Sequence, residues 1–153
     1  MFLAAVLLYS YAFRGGESFL SQGHVVEGQF PATQSQDAII WIRANTLPND
    51  VFLTSEGSCL SLVGPAGRKC VLTRKSFSNP YVDWNLRQVD HQAMWDSLTS
   101  GDCGRFSEYA RAYAVSYVMA VEGETPQLRG GPCSTAATTL QGATLQIYRL
   151  TER

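Results

Sequence analysis

The stretch from Trp41 to Thr73 constrains this chain most. It reads W-I-R-A-N-T-L-P-N-D-V-F-L-T, then a linker, then G-R-K-C-V-L-T. Ala38, Trp41, Ile42 and Asn45 fall on one helical face, with Ile39 flanking, which predicts a helix with Trp41 as a core anchor. Thr33 or Ser35 is expected to cap it, with Asp37 in its first turn near the positive end of the dipole. Pro48 stops it near Thr46, because the residue before a proline avoids the helical region. Residues 51–54 are a short apolar run between turn residues, the pattern of a strand covered on both faces. Residues 70–73 repeat that pattern, and 58–63 fit a short crossover helix ended by Gly64-Pro65. Helix, strand, crossover, strand is the opening of an α/β fold.

The rest of the chain extends the same scheme. A helix is expected over 81–98 with Val82, Leu86, Val89 and Ala93 as its buried stripe. Another is expected over 105–114, where Phe106, Tyr109, Ala110 and Tyr113 repeat the i, i+3, i+4, i+7 spacing. Residues 116–121 (S-Y-V-M-A-V) read as a third strand, and 143–150 (A-T-L-Q-I-Y-R-L) as a half-buried edge strand. Residues 135–140 are placed as its hairpin partner across Gln141-Gly142. The expected architecture is α/β: a small, mainly parallel sheet flanked by helices, Rossmann-like and three-layered, with an antiparallel edge hairpin. In such sheets ligands gather beyond the carboxyl ends of the strands. Those ends carry Ser55-Glu56, Arg74-Lys75 and Glu122-Gly123-Glu124.

Composition narrows the function classes. With 153 residues, 45% hydrophobic, the chain holds one ordinary core. A formal charge of -1 argues against a nucleic-acid partner, which calls for a basic stripe. Arg68, Lys69, Arg74 and Lys75 are the nearest thing to one, and no interleaved aromatics accompany them. Residues 2–13 are nearly all apolar and stop at Arg14-Gly15-Gly16. That is short of the roughly 20 residues a spanning helix needs, so they read as the end of a longer transmembrane helix, with a buried core helix as the alternative. Residues 14–33 follow as a linker, and 34–153 as the soluble domain. None of the four cysteines forms C-x-x-C and there are only two histidines, so no zinc site is expected. The economical pairing joins Cys59 to Cys70 and Cys103 to Cys133. An apolar anchor with an even cysteine count leans toward an oxidising compartment.

Catalytic motifs are absent. There is no G-x-G-x-x-G, Walker loop, H-E-x-x-H or G-x-S-x-G, and no cofactor or metal is expected. Gly64-Pro65-Ala66-Gly67 reads as a turn rather than a phosphate cradle. His24 and His91 lack a neighbouring nucleophile in the sequence, and His91 on an amphipathic helix reads as a surface or half-buried residue. The polar constellation worth following is Tyr81-x-Asp83-x-x-x-Arg87-x-x-Asp90-His91. Asp83 with Arg87, and Arg87 with Asp90, have the spacing of pairs on one helical face. They either dock the helix or project, with Arg68 and Lys75 near, toward a polar head group.

The order W-I-R-x-N-T-x-P-x-D, then G-R-K-C-V-L, then N-P-Y-x-D-x-x-x-R-x-x-D, then Y-A-V-S-Y-V, then a closing I-Y-R-L resembles one family. It is similar to the carboxyl-terminal extracytoplasmic region of multi-spanning membrane glycosyltransferases of the C-type fold and their relatives, over roughly residues 36–150. The resemblance implies a soluble α/β domain following the last transmembrane helix, held outside the cytoplasm. It implies transfer of a sugar from a polyprenyl-phosphate carrier to a glycan acceptor by the full-length protein. Family members carry the catalytic acid in an early loop between transmembrane helices, which these residues do not contain, so the fragment alone is expected to be catalytically silent. The four cysteines lie outside the family pattern. Arg68, Arg74, Lys75, Tyr81, Asp83 and Arg87 are the expected substrate contacts. A membrane-anchored binding module with no enzymatic parent is the alternative. A small hydrolase or transferase using Glu56 and Glu122 is a third, and it requires a pocket that joins the two.

Overall fold

The computed structural model describes residues 32–126, 128, 133, 136–139 and 145–150. The anchor and linker expectations for 1–31 lie outside them. Helix α1 (Ala32–Asn45) is followed by strand β1 (Val51–Leu53). Next comes α2, an α-turn over Glu56–Ser58 that widens into a π-helical segment over Cys59–Val63. Strand β2 (Lys69–Cys70), a 3₁₀ turn (Lys75–Phe77), α3 (Trp84–Ser100) and α4 (Cys103–Ala112) lead to β3 (Val115–Val121). Strands β4 (Ala136–Thr139) and β5 (Leu145–Arg149) close the sheet.

The sheet has five strands in the order β2-β1-β3-β5-β4. β1 pairs in parallel with both β2 and β3, while β5 pairs antiparallel with β3 and with β4. The α/β class and the antiparallel hairpin on one edge are as expected. One detail differs: the closing strand β5 is not the edge. It lies between β3 and β4, and its burial follows, with Leu145, Ile147 and Tyr148 all covered.

Alternation along the strands sorts the core into two halves. Phe52, Tyr117, Met119, Val121, Leu145 and Ile147 face α1 and α2, meeting Ala38, Ile42, Leu62 and Val63. Leu53, Val118, Ala120 and Tyr148 face α3 and α4, meeting Met94, Trp95, Leu98, Phe106 and Ala110. Because both faces are covered, β3 is apolar at every position but Ser116 rather than alternating. Phe52 and Tyr117 stack across the β1–β3 ladder with ring centroids 5.0 Å apart. Burying such side chains contributes about 2–3 kcal/mol each.

Local signals explain the ends of the elements. α1 begins at Ala32, so Thr33 and Ser35 lie inside it and Asp37 falls beyond its first turn. The turn after it is closed by Asp50, whose carboxylate accepts from the Leu47 N–H at 2.6 Å. Asp83 and Asp102 cap α3 and α4 by accepting from the N–H groups of Leu86 and Arg105. Gly101, at φ 78°, ends α3 in a left-handed turn, with Asp102 N–H donating back to Ser97.

α3 does not bury the expected stripe. Leu86 and Val89 are 56% and 64% exposed, while Met94, Trp95, Ser97 and Leu98 are buried. Its amino-terminal half lies past the carboxyl ends of the strands, where Arg87 reaches the carbonyl of Val71 and His91 that of Thr54. The inward face there meets polar loop backbone rather than core, so its inward residues are polar.

Both disulfides match the expected pairing. Cys59–Cys70 ties the start of the π segment to β2, with Cα atoms 6.1 Å apart. Cys103–Cys133 ties the start of α4 to the loop after β3, at 5.4 Å. No helix among the described residues is long and apolar enough to cross a membrane.

A polar cleft at the switch point of the sheet

The chain leaves β1 in one direction to reach β2, then returns past β1 to reach β3. Right-handed crossovers taken in opposite directions put their helices on opposite faces, which is how α2 and the α3–α4 pair are arranged. Between β1 and β3 the flanking helices therefore diverge and leave a crevice at the carboxyl ends. A cleft of about 260 Å³ opens there. Ser55 and Glu56 come to it from the end of β1, Glu124 and Thr125 from the end of β3, and Gln88, His91 and Gln92 from α3. Leu72 and Trp95 add apolar wall.

Three of these groups are held in place. Glu124 Oε2 accepts from the hydroxyl of Ser55 and, at 2.6 Å, from that of Ser58, which is fully buried. Ser55 Oγ in turn accepts the Ser58 N–H at 3.0 Å, so one serine both caps α2 and holds the carboxylate. Gly123, at φ 80°, makes the turn that brings Glu124 back over the end of β3. Thr125 closes that turn by accepting the Val121 N–H at 2.8 Å.

His91 is fixed by its backbone partner. Its Nε2 lies 2.7 Å from the carbonyl of Thr54, and a carbonyl only accepts, so Nε2 carries the proton. The Trp95 indole N–H, 3.3 Å from the same nitrogen, thus meets an atom without a free lone pair. Nδ1 is the acceptor left over. Burial lowers the His91 pKa below its ordinary value, against the opposing influence of the Thr54 carbonyl and the Glu56 charge. The ring is therefore neutral at pH 7.

The substrate contacts expected from the sequence are scattered. Arg68 precedes β2, at the opposite end of the sheet. Its guanidinium donates to Thr46 Oγ1 at 2.7 Å and to the carbonyls of Thr46 and Arg43 at 2.7 and 3.0 Å, tying down the carboxyl end of α1. Arg87 is half-buried, 5.7 Å from the centre of the Tyr113 ring. Tyr113 donates to Asp90 at 2.5 Å, and burial together with that bond pushes its pKa up to about 12. Arg87 and Asp90 thus dock α3 on α4 through a tyrosine. Asp83 accepts from Leu86 N–H as the cap of α3.

Lys75 and Asp83 do share a second hollow of about 360 Å³ with Asn79, Trp84 and Asn85. Arg74 and Tyr81 are exposed in the same loop, Tyr81 at 95%. Lys75 Nζ sits 5.9 Å from the Trp84 ring centre, and the Trp84 indole donates to the Thr73 carbonyl at 2.7 Å. This hollow is wider than the cleft, but its Asp83 and Asn79 side chains are engaged in capping α3 and closing the loop. Nor is the Glu56–Glu122 pair assembled: the cleft joins Glu56 to Glu124, and Glu122 is exposed outside it.

The strand-end positions of Ser55-Glu56 and Glu122-Gly123-Glu124 were visible in the sequence, but the arrival of His91, Gln88 and Gln92 from α3 was not. The polar spacing of 88, 91 and 92 was the available signal. No group of three His, Cys, Asp or Glu side chains able to hold a metal ion occurs among the described residues. Comparison with family models, curated proteins and solved structures finds no match for the chain.

Proposed function

We propose that this chain is the extracytoplasmic domain of a membrane glycosyltransferase-like protein, with the switch-point cleft as a sugar-recognition site. The cleft carries this reading. It gathers carboxylates (Glu56, Glu124) and amides (Gln88, Gln92) beside apolar wall, the mixture that matches the hydroxyl and C–H surfaces of a sugar. The two disulfides support an oxidising compartment. The apolar residues 2–13 support attachment to a membrane. Transfer itself, from a polyprenyl-phosphate carrier, belongs to the longer protein that the resemblance implies, and the described residues serve recognition.

The test is protease accessibility of the native protein in intact and permeabilised cells of its source, with the thiols counted by mass. Membrane-bound material cleaved in cells whose outer surface alone is open to protease, and showing no free thiols, is the expected result. Soluble cytoplasmic protein with four free thiols would refute the proposal.

A further inference from the structure

The geometry points to a cleft that takes a neutral, hydroxyl-bearing sugar unit and rejects phosphate, so that it reads the glycan acceptor rather than the phosphate-linked donor. The inference rests on the reading of the cleft as a sugar site. Its basis is which polar atoms are left over. Glu124 spends Oε2 on two serine hydroxyls, which leaves its other oxygen for a ligand. Glu56 is half-exposed and brings a second carboxylate. Gln92 donates one amide N–H to Asp96 at 3.0 Å, which leaves its carbonyl and its second N–H, and Gln88 brings a further amide. His91 has given Nε2–H to Thr54, which leaves the Nδ1 lone pair. The free acceptors, with two carboxylates among them, therefore outnumber the amide donors of Gln88 and Gln92, and among the described lining residues there is no Lys or Arg.

A phosphate brings only acceptors and negative charge. In this cleft it would face two carboxylates with no cation among the described lining residues to offset them, an arrangement opposite to the Arg and Lys clamps that hold phosphoryl groups. A sugar brings adjacent O–H donors, and hydrogen bonds from them to carboxylates are among the stronger neutral-ligand contacts. Leu72 and Trp95 accommodate the C–H face of the ring. The volume of about 260 Å³ lies below the roughly 300–1,000 Å³ of sites for drug-sized ligands, which restricts the occupant to a terminal unit rather than a long oligosaccharide.

Isotope-labelled protein titrated by NMR with neutral methyl hexosides, hexose 1-phosphates and inorganic phosphate separates the outcomes. At least one methyl hexoside is expected to shift the Trp95 indole and neighbouring amide signals. Inorganic phosphate should leave them in place, and the matching 1-phosphate should bind at least about tenfold more weakly. Glu124→Gln should weaken hexoside binding by about tenfold, the loss of one charge-assisted hydrogen bond. Glu56→Gln, at a half-exposed position, does the same with little risk to folding, and a thermal melt of each variant checks that the fold is kept. A 1-phosphate that binds more tightly than its hexoside overturns the inference and leaves a sugar-binding domain standing. If no hexoside binds at the cleft, the inference falls, and the protease experiment decides the cellular setting independently.

Discussion

Individual residues in this domain have roles that their type alone does not announce. His91 is a half-buried base kept neutral by its surroundings, and its lowered pKa fixes a direction for pH dependence. The unfolded chain takes up a proton near pH 6.5 while the folded chain resists it, so stability is retained above that value and lost as pH falls through the lowered folded-state pKa. Urea unfolding of wild type and His91→Gln at pH 7.5 and 5.5 should show a steeper loss on acidification for the wild type. Two left-handed positions behave oppositely. Gly101 has open space where a methyl group would sit, but its φ is 78°, so Gly101→Ala should cost about 1 kcal/mol through backbone strain alone. Ala114 takes φ 52° just after α4, where glycine is favoured. Ala114→Gly should raise the melting temperature slightly or leave it unchanged, unlike glycine substitution inside a helix.

Among the elements, α1 is held in place by one arginine in addition to its apolar face. Arg68 reaches a helix end whose carbonyls lack intrahelical partners and carry the negative end of the dipole. Arg68→Met keeps the stem and removes the donors, and should destabilise the domain by about 2–3 kcal/mol in chemical denaturation. Arg68→Lys should recover only part of that, because an ammonium cannot span Thr46 Oγ1 and the two carbonyls in one plane. Most of this architecture was legible in the sequence: β1 and β3 as apolar runs, α4 by its Phe106–Ala110 spacing, the helix stop at Pro48. α3 was legible as a helix but not in its orientation, since Leu86 and Val89 match a buried stripe as well as Arg87, His91 and Trp95 do. Only the overhang of α3 beyond the strands decides between the two. The site was half legible for the same reason. Strand ends can be found along a chain, but a helix side chain that reaches a strand end from far away is a tertiary fact.

At the scale of the whole molecule, the two bridges act on different parts of the fold. Cys59–Cys70 closes a short loop, with a sequence separation of 11, around the smallest strand. Cys103–Cys133 closes one of 30 between a helix start and the segment that leads to β4. Loop-closure entropy assigns about 3 kcal/mol to the first and about 4 kcal/mol to the second. Cys103→Ser with Cys133→Ser should therefore lower the unfolding free energy at least as much as the Cys59/Cys70 double replacement, measured by denaturant titration without reductant. Together they are comparable to the net stability of a domain of this size, and full reduction should unfold it or leave it marginal.

The position of β5 also bears on how the molecule is made. Residues 145–149 supply the partner for the whole outer flank of β3, from Tyr117 to Val121, yet they are synthesised well after it. Until they emerge, the longest and most apolar strand has one row of backbone donors and acceptors open to any passing chain. A nascent chain stalled or clipped before Leu145 would be sticky rather than merely incomplete, so the quality of this protein in a cell depends on what shelters that flank during synthesis.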